Sequence, residues 1–250
     1  MARVRANLCK AVLPAAAVAP YHCTRAAKRE AHAMDTLPRH HFADRADAGR
    51  RLASRLAASR FDRPVIYALP RGGVPVALEI ARALHAPLDL ILVRKIGAPG
   101  APELALGAVV EGESPHMVIN EDVRQLSHAG TGFIERARQH ELAEIERRRA
   151  RFLGGRARID PAGRTAIVVD DGLATGATAR AALAAMRRQG AAKTVLAVPV
   201  APADVLAALK ADADEIICLH PARSFRAVGM FYDDFHQLTD EETVALLRGG

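Results

Sequence analysis

From Asp44 onward the chain alternates between two hydrophobic patterns. Arg45 to Ser59 has helical spacing, with Ala48, Leu52, Leu56 and Phe61 on one side. Val74 to Leu84 repeats that spacing through Val76, Ala77, Ile80, Ala81 and Leu84. Around these stand short continuous apolar runs: Val65–Leu69, Leu88–Val93, Ala166–Val169, Val195–Val200 and Glu215–Leu219. Helical stretches Ala177–Gln189 and Ala203–Leu209 separate the last three, and Gly190 is placed to stop the first of them. A strand that is apolar at every residue is buried on both faces, so helices must cover both sides of the sheet. The pattern predicts an α/β domain, a parallel sheet with helices on both faces, plus a small hood or cap. Ligands of such sheets gather outside the carboxyl ends of the strands.

Two segments depart from this alternation. Ala98–Glu103, within Gly97-Ala98-Pro99-Gly100-Ala101-Pro102-Glu103, reads by composition as a flexible loop. Phe133 to Phe152 is a long charged helix with a narrow stripe of Ile134, Leu142, Ile145 and Phe152, an interface or surface helix.

Charge changes the picture only at the amino end. The formal net charge is +7, but residues 1–33 carry Arg3, Arg5, Lys10, Arg25, Lys28 and Arg29 against Glu30, which leaves +2 for the remainder. Residues 1–34 are therefore read as a disordered or extended tail, and 35–250 as the domain. A basic tail without a basic stripe interleaved with aromatics does not predict a nucleic-acid-binding domain. Three sparse cysteines without a CxxC pattern fit neither a disulfide framework nor a zinc site, and suit a reducing cytoplasm. No apolar run reaches the ~18 residues that a membrane span needs. His40-His41 has no acidic or Cys neighbour at metal-ligand spacing.

The candidate chemistry lies at strand ends. After Val168-Val169 come Asp170-Asp171, then Gly172-Leu173-Ala174-Thr175-Gly176-Ala177-Thr178, which turns directly into a helix. Small residues let backbone N–H groups approach a ligand closely, and a helix amino end offers unpaired donors with a favourable dipole, a site suited to phosphate. Two adjacent carboxylates beside it suit a ribose diol and would support a divalent cation through water. A Walker loop would need Gly-Lys-Ser/Thr, and neither that, nor G-x-G-x-x-G, nor a G-x-S-x-G elbow occurs.

Val168 to Thr178 resembles the fingerprint of the type I phosphoribosyltransferases: an apolar strand, two acids, two apolar residues and a small-residue phosphate loop. Gly172 stands where that fingerprint has an aliphatic residue. The resemblance implies that Asp170 and Asp171 hold the hydroxyls of 5-phosphoribosyl 1-pyrophosphate (PRPP). It implies that Ala174, Thr175, Gly176, Ala177 and Thr178 hold the 5-phosphate. Leu69-Pro70-Arg71-Gly72 resembles the family's pyrophosphate loop, so Pro70, Arg71, Gly72 and Gly73 would grip the diphosphate, with a cis peptide at Pro70–Arg71. Lys95, read as closing the second core strand, is the candidate for a further diphosphate contact, with the mobile loop 97–106 closing over the reaction. Mg2+ would be held mainly through PRPP, with no protein ligand assigned to it.

The function implied is transfer of the 5-phosphoribosyl group to a nitrogenous acceptor with release of pyrophosphate. The alternative is a PRPP- or nucleotide-sensing protein without catalysis. The 6-oxopurine enzymes carry an acid where this chain has Ala174, and the orotate type carries basic and His residues in a mobile loop that here has none, so the acceptor stays open. The aromatic concentration Phe225, Phe231, Tyr232 and Phe235 would either stack an acceptor base or close the domain as a hydrophobic clip. The charged helix and the habit of the resembled family are compatible with a homodimer.

Overall fold

A computed structural model of the chain describes residues 41–112 and 115–249. The expectations for residues 1–34, and His40 of the His-His pair, lie outside them. The element order is α1 (Arg45–Leu56), β1 (Val65–Ala68), α2 (Gly73–Leu84), β2 (Leu88–Leu90), β3 (Val93–Ala98), β4 (Ala101–Val110) and β5 (His116–Ile119). There follow α3 (Glu121–Leu126), α4 (Thr131–Leu153), β6 (Thr165–Val169), α5 (Ala177–Arg188), β7 (Lys193–Pro202), α6 (Ala203–Leu209) and β8 (Glu215–Ala222). A 3-10 turn (Val228–Phe231) and α7 (Asp240–Gly249) complete the chain.

The main sheet has five strands in the order β2-β1-β6-β7-β8, every pair parallel. Side chains of a strand point alternately to opposite faces, and the core divides accordingly. Ile66, Ala68, Ile167, Val169 and Val195 pack on one face with Leu52, Ile80 and Ile145. Val65, Tyr67, Ala166, Val168 and Leu196 pack on the other with Leu183, Met186 and Leu209. The apolar faces of α1 and α2 meet closely, because a Cβ on Gly49 would lie 2.9 Å from Val76 O. Asp44 caps α1, its side chain accepting from Asp47 N at 2.7 Å.

The unit added beside the main sheet is a second sheet, three-stranded and antiparallel, in the order β3-β4-β5. It corrects two expectations. The run Leu88–Val93 is not one strand: Ile91 N still donates to Ala68 O at 3.0 Å, but Leu92 N is taken by the Glu111 carboxylate at 2.7 Å, and the chain leaves the parallel ladder there. Lys95 therefore lies within β3 of the second sheet rather than at the end of a core strand.

The segment 97–106 is a hairpin rather than a loop, with Ala98 paired to Ala101 and Gly97 to Ala105. Composition signalled the Pro99-Gly100 turn, with Gly100 at φ +71°, but not the strands on either side of it. Close strand contact also requires Gly97, whose added Cβ would meet Pro102 O at 2.6 Å.

Arg149 of α4 ties the two sheets together. Its guanidinium contacts both Asp89 oxygens, at 2.8 and 3.0 Å, and Glu111 at 3.1 Å. Asp89 also accepts from Ile159 N at 2.8 Å. All three charged side chains are buried, so the cluster holds only because each charge has partners.

Candidate functional site

The two loops singled out above follow adjacent strands, β1 and β6, whose last residues Ala68 and Val169 are in register. Leu69 N donates to Val169 O at 2.9 Å, which carries the pairing into the loops. The peptide Pro70–Arg71 is cis, as expected. Gly72 and Gly73 are required by close approach: added Cβ atoms would lie 2.1 Å from Asp171 Oδ2 and 2.6 Å from Val169 O. The first loop thus lies directly on the Asp171 carboxylate.

Asp170 Oδ1 accepts from Asp171 N at 2.9 Å. Burial, and then the Asp171 charge, hold the Asp170 carboxyl well above the ordinary value. Burial also raises Asp171, against the pull of Arg45. Arg45 Nε donates to Asp171 Oδ2 at 2.7 Å, with both side chains largely withdrawn from solvent. The Arg45 guanidinium lies 3.9 Å from the centre of the Phe235 ring, and its Nη1 donates to His236 O at 2.9 Å. Tyr232 donates its hydroxyl to Asp171 O at 2.6 Å, and burial pushes that hydroxyl's pKa up.

Beyond the acids, Leu173 is buried and its N–H donates to Val200 O at 3.0 Å. That bond anchors a loop in which Ala174, Thr175, Ala177 and Thr178 are exposed. Gly176 opens α5 in the left-handed region, φ +72°, without a capping side chain. Its freedom is needed twice, since a Cβ there would meet Val205 Cγ1 at 2.8 Å. Gly172 has its own reason: an added Cβ would fall 2.5 Å from Val228 and 2.9 Å from Val200. The place of the usual aliphatic side chain is filled by these valines.

Arg71 extends from the first loop to Asp240, 3.2 Å away, and Asp240 also meets Arg151 of α4 at 3.4 Å. These residues line a cavity of about 400 Å3 with Gln237, Leu238, Thr239 and Glu241. Lys95 is not drawn to the loops. Among the described residues it hydrogen-bonds Glu103, at 3.4 Å, and is half exposed. The aromatic segment packs inward, Tyr232 against Phe42 (5.3 Å between centroids) and Phe235 (4.9 Å), and Phe225 stacks on Phe231. His41, which has no acidic or Cys neighbour at metal-ligand spacing in the sequence, meets Asp233 at 3.0 Å.

Arg45 and Asp240 escaped the sequence reading, which named Tyr232 only within the aromatic concentration. Arg45 alone left a signal, being a charged residue at i, i+3, i+7 spacing with Ala48 and Leu52 on the apolar face of α1. Among the described residues no three His, Cys, Asp or Glu side chains gather to hold a metal ion, and no helix is long and apolar enough to cross a membrane.

The family model described as phosphoribosyl transferase domain matches residues 40–235. Two curated proteins from Mycobacterium tuberculosis strains CDC 1551 / Oshkosh and H37Rv, provisionally named phosphoribosyl transferases, are each 49% identical over 206 residues, 82% of this chain. The chain spans 46% of their length, about half. The crystal structure of TT1426 from Thermus thermophilus is 42% identical, covers 83% of this chain and 97% of its own, and superposes with a TM-score of 0.72. With a family model spanning most of the domain, this chain belongs to the phosphoribosyl transferase family.

Proposed function

We propose that the chain binds PRPP with Mg2+ and transfers its 5-phosphoribosyl group to a nitrogenous acceptor, releasing pyrophosphate, in a cytoplasmic setting. The observation that carries this reading is the convergence of two loops at the ends of β1 and β6, where Gly72 lies against the Asp171 carboxylate. A diphosphate gripped by the first loop is thereby brought beside the acids suited to a ribose diol, and the α5 amino end is next in the chain for the 5-phosphate.

In this reading the loop 70–73 supplies backbone donors and the Arg71 guanidinium to the diphosphate. Asp170 and Asp171 accept from the ribose hydroxyls, and residues 174–178 hold the 5-phosphate. The bond from C1 to the diphosphate oxygen breaks and the electron pair leaves with pyrophosphate. The acceptor nitrogen bonds C1 from the opposite face and loses a proton to solvent. Asp170 and Asp171 are the residues that would help to hold an Mg2+ brought in with PRPP. When bound, Mg2+ neutralises charge on the leaving group. Lys95 on β3, the candidate for a further diphosphate contact, pairs with Glu103.

Isothermal titration of PRPP with Mg2+ into the wild type and into Asp170→Asn/Asp171→Asn tests the reading. Saturable, Mg2+-dependent binding that the double variant loses is expected. A folded wild type that binds no PRPP would overturn it. Turnover with a panel of nitrogenous bases then separates transferase from sensor.

A further inference from the structure

A carboxylate withdrawn from water beside a second carboxylate needs a compensating donor to keep one charge state and one orientation. Asp171 has that donor in Arg45, 126 residues away in sequence, at 2.7 Å. Arg45 is itself restrained on three sides. Its Nε is spent on Asp171, its Nη1 on the His236 carbonyl, and its flat face lies on Phe235. The carboxylate is equally confined, with Gly72 against its oxygens and the Tyr232 hydroxyl on its own backbone carbonyl. Asp170 stands next to it on the strand end, and Asp234 and His236 lie on the segment that Arg45 holds.

A buried ion pair usually contributes little net stability, because desolvation offsets the attraction. An arginine placed on the apolar face of α1 is therefore poorly explained by stability alone. Resting on the phosphoribosyl reading above, we propose that Arg45 is a positioning residue: it fixes the orientation of the Asp171 carboxylate so that the paired acids accept from the ribose diol. Its Nε and Nη1 are turned to protein partners, which fixes the guanidinium on the Asp171 side. Arginine suits the task where lysine would not, because a planar guanidinium stacks on Phe235 while two of its nitrogens donate in fixed directions.

The test compares ribose 5-phosphate with 2-deoxyribose 5-phosphate, beside PRPP with Mg2+, by isothermal titration. The proteins are the full-length wild type, Arg45→Met and Arg45→Lys, each checked for cooperative thermal unfolding. The wild type is expected to prefer the ribose form. Arg45→Met is expected to bind PRPP roughly tenfold more weakly or worse and to lose that preference, as when hydrogen bonds to a charged group are lost. Arg45→Lys should recover part of both. A general structural role would weaken the two sugar phosphates alike, leaving their ratio unchanged. A folded Arg45→Met that keeps the ribose preference overturns the proposal. So does a wild type that binds PRPP without any such preference. If Arg45→Met does not fold, Arg45→Lys decides, and an undiminished preference there overturns it. A wild type that binds no PRPP removes the phosphoribosyl reading itself, and this proposal falls with it.

Discussion

Arg71 donates to Asp240 at 3.2 Å, so the guanidinium that follows the first core strand is held by the first turn of the last helix. The other Asp240 oxygen meets Arg151 at 3.4 Å, and one carboxylate thus bridges two guanidinium groups at the edge of a cavity. A diphosphate at the loop 70–73 would compete with Asp240 for Arg71.

Asp240→Asn is accordingly expected to strengthen binding of pyrophosphate with Mg2+ a few-fold, roughly what a partly exposed ion pair contributes. Arg71→Ala should weaken it by about tenfold, through loss of charge-assisted hydrogen bonds. Titration calorimetry reads both. A weaker-binding Asp240→Asn would show that the carboxylate supports the ligand rather than competing with it.

The raised carboxyls of Asp170 and Asp171 give a pH dependence with a definite sign. Ribose hydroxyls donate to ionised carboxylates, so PRPP affinity should fall on acidification at a pH well above the ordinary aspartate value of 3.8. Titrations between about pH 7.5 and about pH 5 check this. Affinity flat across that range would mean that neither carboxyl changes charge there.

The same shift predicts a stability effect. In the unfolded chain the carboxyl ionises above 3.8, while the folded protein resists ionisation of Asp170 to a higher pH. The folded state binds more protons over that interval, so stability is lost as pH rises through it. Asp170→Asn should therefore raise the melting temperature at neutral pH by a few degrees (about 1 kcal/mol) while removing PRPP binding. A lower melting temperature would contradict the assignment.

Gly172 and Val228 should be energetically coupled, because an added Cβ would lie 2.5 Å from Val228 Cγ1. Gly172→Ala is expected to destabilise by about 1–3 kcal/mol through overpacking. Val228→Ala makes room, so urea melts of the double variant should show a loss smaller than the sum of the single ones. Strict additivity would place the cost in the backbone or in the Val200 contact rather than in Val228.

Arg149→Met leaves the buried Asp89 and Glu111 carboxylates without their principal cation. The expected loss is about 3–5 kcal/mol in chemical denaturation. Burial already raises Glu111 above its ordinary value, and without Arg149 it should titrate higher still. A near-neutral substitution would mean that the two acids protonate and repack at little cost.

The legible parts of this protein are those in which a local pattern determines the structure. Val65–Ala68 and Ala166–Val169 are continuous apolar runs and form inner strands, because a strand covered on both faces leaves few positions for exposed polar groups. The loops after them are recognisable because close backbone approach admits few residue types, and at Gly72, Gly73 and Gly176 neighbouring atoms fill the space that a side chain would need. The hairpin at 97–106 is not legible in composition, because Gly and Pro report the turn, whereas its flanks, with Gly97 and Pro102, lack the residue types that mark strands.

By itself, then, the sequence determined the alternation of strands and helices, the two glycine-containing loops after β1 and β6 and the position of the paired acids, since each depends on neighbours a few residues apart. Only the tertiary structure decided which charge meets which. Arg45 reaches Asp171 from α1, Arg71 turns to Asp240 in α7, and Lys95 goes to the second sheet. Salt bridges and desolvation act between groups brought together by folding, at separations of up to 192 residues among the described residues, and no spacing in the chain records them.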